Sequence, residues 1–307
     1  MRRISASLGA LFVMTLSVTG CARNEPGAPG TDPDDAFQAR AADLAQSWKA
    51  SVGPAWRTGY VPLEDPTSTA ATFTEETKPA YVSGWYKLAA TLPPLTTPTG
   101  KITFGDGATL DVPLVAAQDA YAALDQGDPP CVNGGSPVPD QTNPNGSTGH
   151  TVPGQCTALT VTAATLGTAT VRTSRGDATV PAWTFTVKEL AKPVLRVAVA
   201  PSAVTPVPNP STPPGPPVEA TLAAQDLTAV NGTKLGYTLG VGACDTDIRP
   251  LVYEDTEVVV VGGTAKRSDG PCIAVHKMEP VEVTLSAPLG ARAVLDGSTG
   301  RPLTLHR

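Results

Sequence analysis

Proline and glycine set the limits on what this chain can become. It holds 32 prolines and 29 glycines in 307 residues, about one position in five where about one in eight is usual. Proline removes a backbone donor and fixes φ, and glycine weakens a helix interior by about 1 kcal/mol, so long helices would be interrupted repeatedly. Helical bundles and coiled coils are thereby excluded. The expected class is mainly β, with an α+β first domain carrying an amphipathic helix on antiparallel strands and a β-sandwich-like second domain. Hydrophobic residues make up 41% and charged residues 16%, which suits globular domains and not a polytopic membrane protein. A formal charge of −6 argues against a nucleic-acid partner, which would require a basic face.

The first twenty residues read as a targeting segment. Arg2 and Arg3 form a positive start, and Ile4 to Val18 form an apolar stretch diluted by Ser, Thr and Gly, too short and impure to span a bilayer. Ile4-Ser5-Ala6 lacks the paired large apolar residues of twin-arginine signals, which favours the general secretory route. Val18-Thr19-Gly20-Cys21 follows and resembles the lipobox of bacterial lipoproteins. The resemblance implies cleavage after Gly20 and acylation of Cys21 (diacylglycerol, palmitate), with the protein held on the extracytoplasmic face of the cell membrane. The bland alternative is a secretory signal with a chance cysteine. Two acyl chains, at about 0.8 kcal/mol per buried CH₂, make a stable anchor. Cleavage would leave a net charge of −8, so attraction to anionic headgroups is not expected. Residues 21–33 then form a flexible Gly/Pro-rich tether with a reach of roughly 20 Å.

Four cysteines remain, Cys131, Cys156, Cys244 and Cys272, an even number in an exported chain, which implies two disulfides. Of the three possible pairings the sequence-local one is expected, Cys131 with Cys156 and Cys244 with Cys272. It leaves one bridge on each side of residues 201–217, where eight prolines fall in seventeen positions. The other pairings would staple two domains across that segment. It reads as a stiff spacer that in polyproline II would span on the order of 50 Å, or alternatively as a long surface loop in one domain. The expected division is 34–200 and 218–307. A zinc site would need further ligands at close spacing beside Cys272 and His276, and neither metal nor cofactor is expected.

Asp32 as N-cap, Pro33 at the first helical position and acidic Asp34 and Asp35 begin a helix in which Phe37, Ala41, Leu44, Trp48 and Val52 share one face. Strands are expected at Trp56–Leu63, Gly84–Leu92, 101–104 and 108–112 around a Gly105-Asp106-Gly107 hairpin, and through Leu159–Val199 as an antiparallel meander. A short helix is expected over Val115–Leu124, and a long loop over 131–156. Seven strands are expected after residue 218. Glu257-Val258-Val259-Val260-Val261 is continuous and not alternating, the mark of a central strand buried on both faces.

Ala243-Cys244-Asp245, Glu254-Asp255-Thr256-Glu257-Val258, Pro271-Cys272 and the run from Val283 through Arg292 to Asp296 resemble a C-terminal module of exported actinobacterial proteins. With the lipobox and Val180-Pro181-Ala182-Trp183-Thr184-Phe185-Thr186-Val187, the whole chain is similar to uncharacterised Streptomyces-type lipoproteins. The resemblance covers the second domain well and the first loosely, and implies location and architecture without an activity.

Catalytic motifs are sparse. His150, His276 and His306 are the histidines, and no nucleophile elbow, S-x-x-K or H-E-x-x-H accompanies them. Pairs such as Glu75/Glu76, Asp106/Asp111 and Asp245/Asp247 suit turn capping and surface solvation better than glycoside hydrolysis. Twelve of the fourteen aromatics after residue 21 precede residue 201. Core burial accounts for most of them. Adjacent Trp85 and Tyr86, pointing to opposite faces of a strand, are the candidates for one ring lining a groove. The expected function is a non-catalytic binding or scaffolding module of the cell envelope, with a glycan or protein partner. The alternative is an envelope hydrolase built on the first domain, with His150 as base.

Overall fold

Helix α1 (Pro33–Ser51) starts where its signals place it and buries Phe37, Ala41, Leu44 and Trp48 along the expected face. Pro54 then opens a short helix, α2 (Pro54–Thr58), where a strand was expected, because proline's fixed φ suits a first helical position. The chain continues through β1 (Thr67–Thr69), α3 (Thr77–Ser83), β2 (Tyr86–Leu88), β3 (Thr99–Phe104), β4 (Thr109–Pro113) and α4 (Ala117–Ala122). The long hairpin β5 (Leu159–Thr173) and β6 (Gly176–Val187) follows, then β7 (Val194–Val197). These strands form one sheet in the order β1-β7-β6-β3-β4, with β5 beside β6 and β2 parallel to β5. The Gly105–Gly107 hairpin joins β3 to β4 as expected, with Gly107 at φ +82° and Asp106 accepting the Ala108 N–H at 2.9 Å.

Seven strands also follow residue 220, and no helix is found among the described residues there: β8 (Thr221–Leu222), β9 (Ala224–Asn231), β10 (Lys234–Gly242), β11 (Thr246–Glu254), β12 (Val258–Lys266), β13 (His276–Thr284) and β14 (Ala293–Asp296). Sheet β13-β10-β9 faces sheet β11-β12-β14, with β8 beside β12, across a core of Leu235, Tyr237, Leu239, Val259 and Val261. The Tyr237 hydroxyl donates into this core to the carbonyls of Gly262 (2.7 Å) and Leu251 (3.2 Å). The Cys244–Cys272 disulfide closes one end of the β10–β13 pair.

Val258 to Val261 are each 0% exposed. The reason is a third layer: Val259 and Val261 face the opposite sheet, while Val258 and Val260 pack under Phe37, Leu44 and Trp48 of α1. Arg40, on the same helix, donates to the carbonyls of Gly297 (2.9 Å) and Ser298 (2.7 Å). The helix assigned from sequence to the first domain is therefore part of the second domain's core, and residues 33–307 form one compact unit. The computed structural model describes residues 32–127, 158–209, 221–267 and 272–306. The expected spacer also changes at its start. Pro201–Ala203 is a turn of 3₁₀ helix, Val204 pairs with Tyr60, and Val207 packs against the α1 core. Proline is tolerated at the head of such a turn, and the two valines supply apolar contacts. Residues 210–217 lie outside the described residues. The fold is mainly β, with 46% of the described residues in strand and 17% in helix.

Candidate functional site

Helix α3 ends on Gly84, left-handed at φ +69°, where a Cβ would lie 2.7 Å from the Leu124 carbonyl oxygen. Glycine is required there both for conformation and for space. The turn drops the next two side chains into the protein. Trp85 is 8% exposed and Tyr86 3%, and both belong to the core around Leu124, Leu159 and Phe185. The expectation that strand alternation buries one ring and opens the other on a groove is thus corrected as to exposure, since both rings are buried. β2 begins only at Tyr86, so strand alternation does not separate the two rings.

Tyr86 nevertheless lines a cavity of about 390 Å³ with Asp65, Tyr81, Gln126 and Arg196. A second cavity of about 180 Å³, lined by Glu64, Ser68, Phe73 and Tyr81, shares Asp65, Thr67 and Tyr81 with the first. The two make one groove. Phe73 and Tyr81 form a ring pair in it, with centroids 4.6 Å apart and planes inclined at 37°. Arg196 reaches the groove from β7 and donates to the Thr67 hydroxyl on neighbouring β1 at 2.6 Å. Its guanidinium is half-buried and has no carboxylate within ion-pair distance among the described residues. Burial pushes its pKa down, and Asp65 opposes that shift through space. The Tyr86 hydroxyl is buried with no hydrogen-bond partner among the described residues, and burial pushes its pKa well above the usual phenol range.

Asp65 is also tied from behind. His306 places Nδ1 3.3 Å from Asp65 and Nε2 3.4 Å from Asp226, and the Thr304 hydroxyl lies 3.1 Å from Nε2. Thr304, His306 and Asp65 follow the order of a nucleophile, base and orienting acid. The second carboxylate at Nε2 competes for the position at which a base takes a hydroxyl proton. The ring therefore works as a tie between residues far apart in sequence.

A separate cleft of about 370 Å³ lies beside the Trp48–Trp56 edge-to-face pair and contains Arg57, Arg175 and Arg292. Its charges are already matched. Arg57 meets Glu257 at 3.2 Å, Arg175 meets Asp106 at 2.9 Å, and Arg292 meets Glu254 at 2.7 Å. Arg292 also donates to the carbonyls of Ala287, Pro288 and Leu289, and the Ser174 hydroxyl is spent on the Trp56 carbonyl at 2.7 Å. These groups hold loops together and leave little for a ligand.

Of the other residues singled out from sequence, Cys244 and Cys272 are bonded as expected. Cys21, Cys131, Cys156 and His150 lie outside the described residues. Asp111 pairs with Lys101, and Asp245 accepts the Gly242 N–H, which are surface and turn roles. Arg196 was missed. Its signal was a lone charge within the otherwise apolar run Val194 to Ala200. No helix among the described residues is long and apolar enough to cross a membrane. No family model, curated protein or solved structure matches the chain.

Proposed function

We propose that this chain is a lipid-anchored protein of the extracytoplasmic membrane face that binds envelope material without transforming it, and that the groove along Asp65, Tyr81 and Arg196 does the binding. One observation carries the reading: a single cavity is lined by both Arg196, half-buried and without an ion-pair partner among the described residues, and Tyr86, whose buried hydroxyl has no hydrogen-bond partner among them. An unsatisfied buried polar group costs about 1–3 kcal/mol, and a ligand that satisfies it recovers that cost on binding. The remaining lining groups, ring faces, hydroxyls and an amide, orient a ligand. The lipobox and the tether after Cys21 support the location.

Two measurements test this. Cys21→Ala is expected to release the protein to the medium or leave it uncleaved, and a variant still processed and membrane-bound would refute the anchor. The detergent-solubilised full chain is expected to co-sediment with isolated envelope polysaccharide, and Tyr81→Ala to weaken that binding. Failure of the unaltered chain to sediment would refute the binding role.

A further inference from the structure

We infer that the groove is built for an acidic sugar, with the carboxylate of a uronic acid unit at the Arg196 and Tyr86 end and the neighbouring pyranose ring against Phe73 and Tyr81. The inference rests on the binding role proposed above and adds the ligand's chemistry to it.

The Arg196 end asks for an anion. A guanidinium has five N–H donors and stays charged in proteins. Here one donor is spent on Thr67, and no carboxylate among the described residues lies close enough to pair with it. A planar carboxylate can accept two of the remaining donors in parallel. Tyr86, only 3% exposed, lines the same cavity, and its buried hydroxyl, without a partner among the described residues, is the further donor assigned to the carboxylate.

A single negative charge fits better than a double one. Asp65 lines the same cavity, close enough to act on Arg196 through space. It would oppose a phosphate, which carries up to two charges near neutral pH, more strongly than a carboxylate.

The other end asks for a sugar ring. Phe73 and Tyr81 line this end as a ring pair, and Glu64, Asp65 and Ser68 line it with them. Apolar ring faces next to carboxylate and hydroxyl oxygens match a pyranose, whose C–H face is apolar and whose rim is a ring of hydroxyl donors. The larger cavity alone falls within the roughly 300–1,000 Å³ usual for small-ligand sites.

The test is calorimetric titration of the full chain with cellobiouronate, a disaccharide of one glucuronate and one neutral glucose, its methyl ester and glucose 6-phosphate. Cellobiouronate is expected to bind, and the methyl ester, the same sugar without charge, at least about tenfold more weakly, as loss of a charged hydrogen-bonded contact implies. Arg196→Gln is expected to cost a similar factor. Tyr86→Phe is expected to weaken binding several-fold while the unfolding midpoint of the free protein stays level or rises, because the hydroxyl removed has no partner. Tyr86→Phe and the ester comparison carry the test should Arg196→Gln fail to fold. Equal binding of acid and ester, tighter binding of the phosphate, or no binding of cellobiouronate by a chain that still sediments with envelope polysaccharide would overturn the acidic-sugar assignment and leave the binding role standing. Loss of both would overturn both.

Discussion

Phe37 offers a quantitative test of how the chain is put together. It is 1% exposed, and its ring occupies a seat made by two glycines: a Cβ added at Gly297 would lie 2.6 Å from Phe37 Cε2, and one at Gly262 3.1 Å from it. Phe37→Ala empties that seat and uncovers the Val258 and Val260 face of β12, and truncation of a buried Phe costs about 3–5 kcal/mol. Gly297→Ala overfills the same space at about 1–3 kcal/mol. The two changes relieve each other, since the methyl introduced at 297 enters space the ring has vacated. The double variant should therefore be more stable than the sum of the single effects by about 1 kcal/mol or more. The assay is urea unfolding followed by far-ultraviolet circular dichroism, with hydrogen exchange at Val258–Val261 as local readout. A Phe37→Ala cost below about 1 kcal/mol, strict additivity, or unchanged protection of the valines would refute the packing of α1 on the C-terminal sheet.

Tyr237→Phe leaves two buried carbonyls without their donor, and a loss of about 1–3 kcal/mol is expected in the same unfolding assay. Breaking Cys244–Cys272, whose partners are 28 residues apart, with paired serine substitutions should cost about 3–4 kcal/mol on the loop-closure account. Stability should also fall in acid. The Lys49 ammonium holds Asp255 below its ordinary pKa; for Asp106 the Ala108 N–H is the main cause, helped by Arg175; for Glu254, burial pushes upward but is outweighed by Arg292 and Ser286. Each group has a folded pKa below its unfolded one, so its contribution is fully present above the ordinary carboxylate range near about pH 4 and is lost as pH falls through the lower folded value. Unfolding midpoints measured between pH 7 and pH 2 should show that loss, and Glu254→Gln should flatten part of it.

How much of this could be read from sequence depended on how local the physics was. The start and apolar face of α1, the Gly105–Gly107 hairpin and the buried valines of β12 each follow from spacing within a few residues, and each is present in the structure. What covers the second face of β12 was not readable. The partner surface is Phe37 to Trp48, more than two hundred residues earlier, seated where Gly262 and Gly297 leave room, and nothing in either segment marks the other. The domain division failed for the same reason, since a proline cluster marks where elements cannot form and not which cores merge. Trp85 and Tyr86 were noticed for their type, but their burial is set by the Gly84 turn and by Leu124 behind it. Arg196 looked like an ordinary strand charge. Only the pairing of β7 with β1, which brings Thr67 and Asp65 beside it, makes it a half-buried cation facing a cavity.

The binding role is tested most directly by hydrogen–deuterium exchange of the full chain with and without solubilised envelope polysaccharide. Slowed exchange is expected in peptides covering residues 64–73, 81–86, 123–126 and 196, segments that line the groove. Protection confined to residues 174–175, 256–257 and 291–292 around the other cleft, or no protection at all, would contradict it.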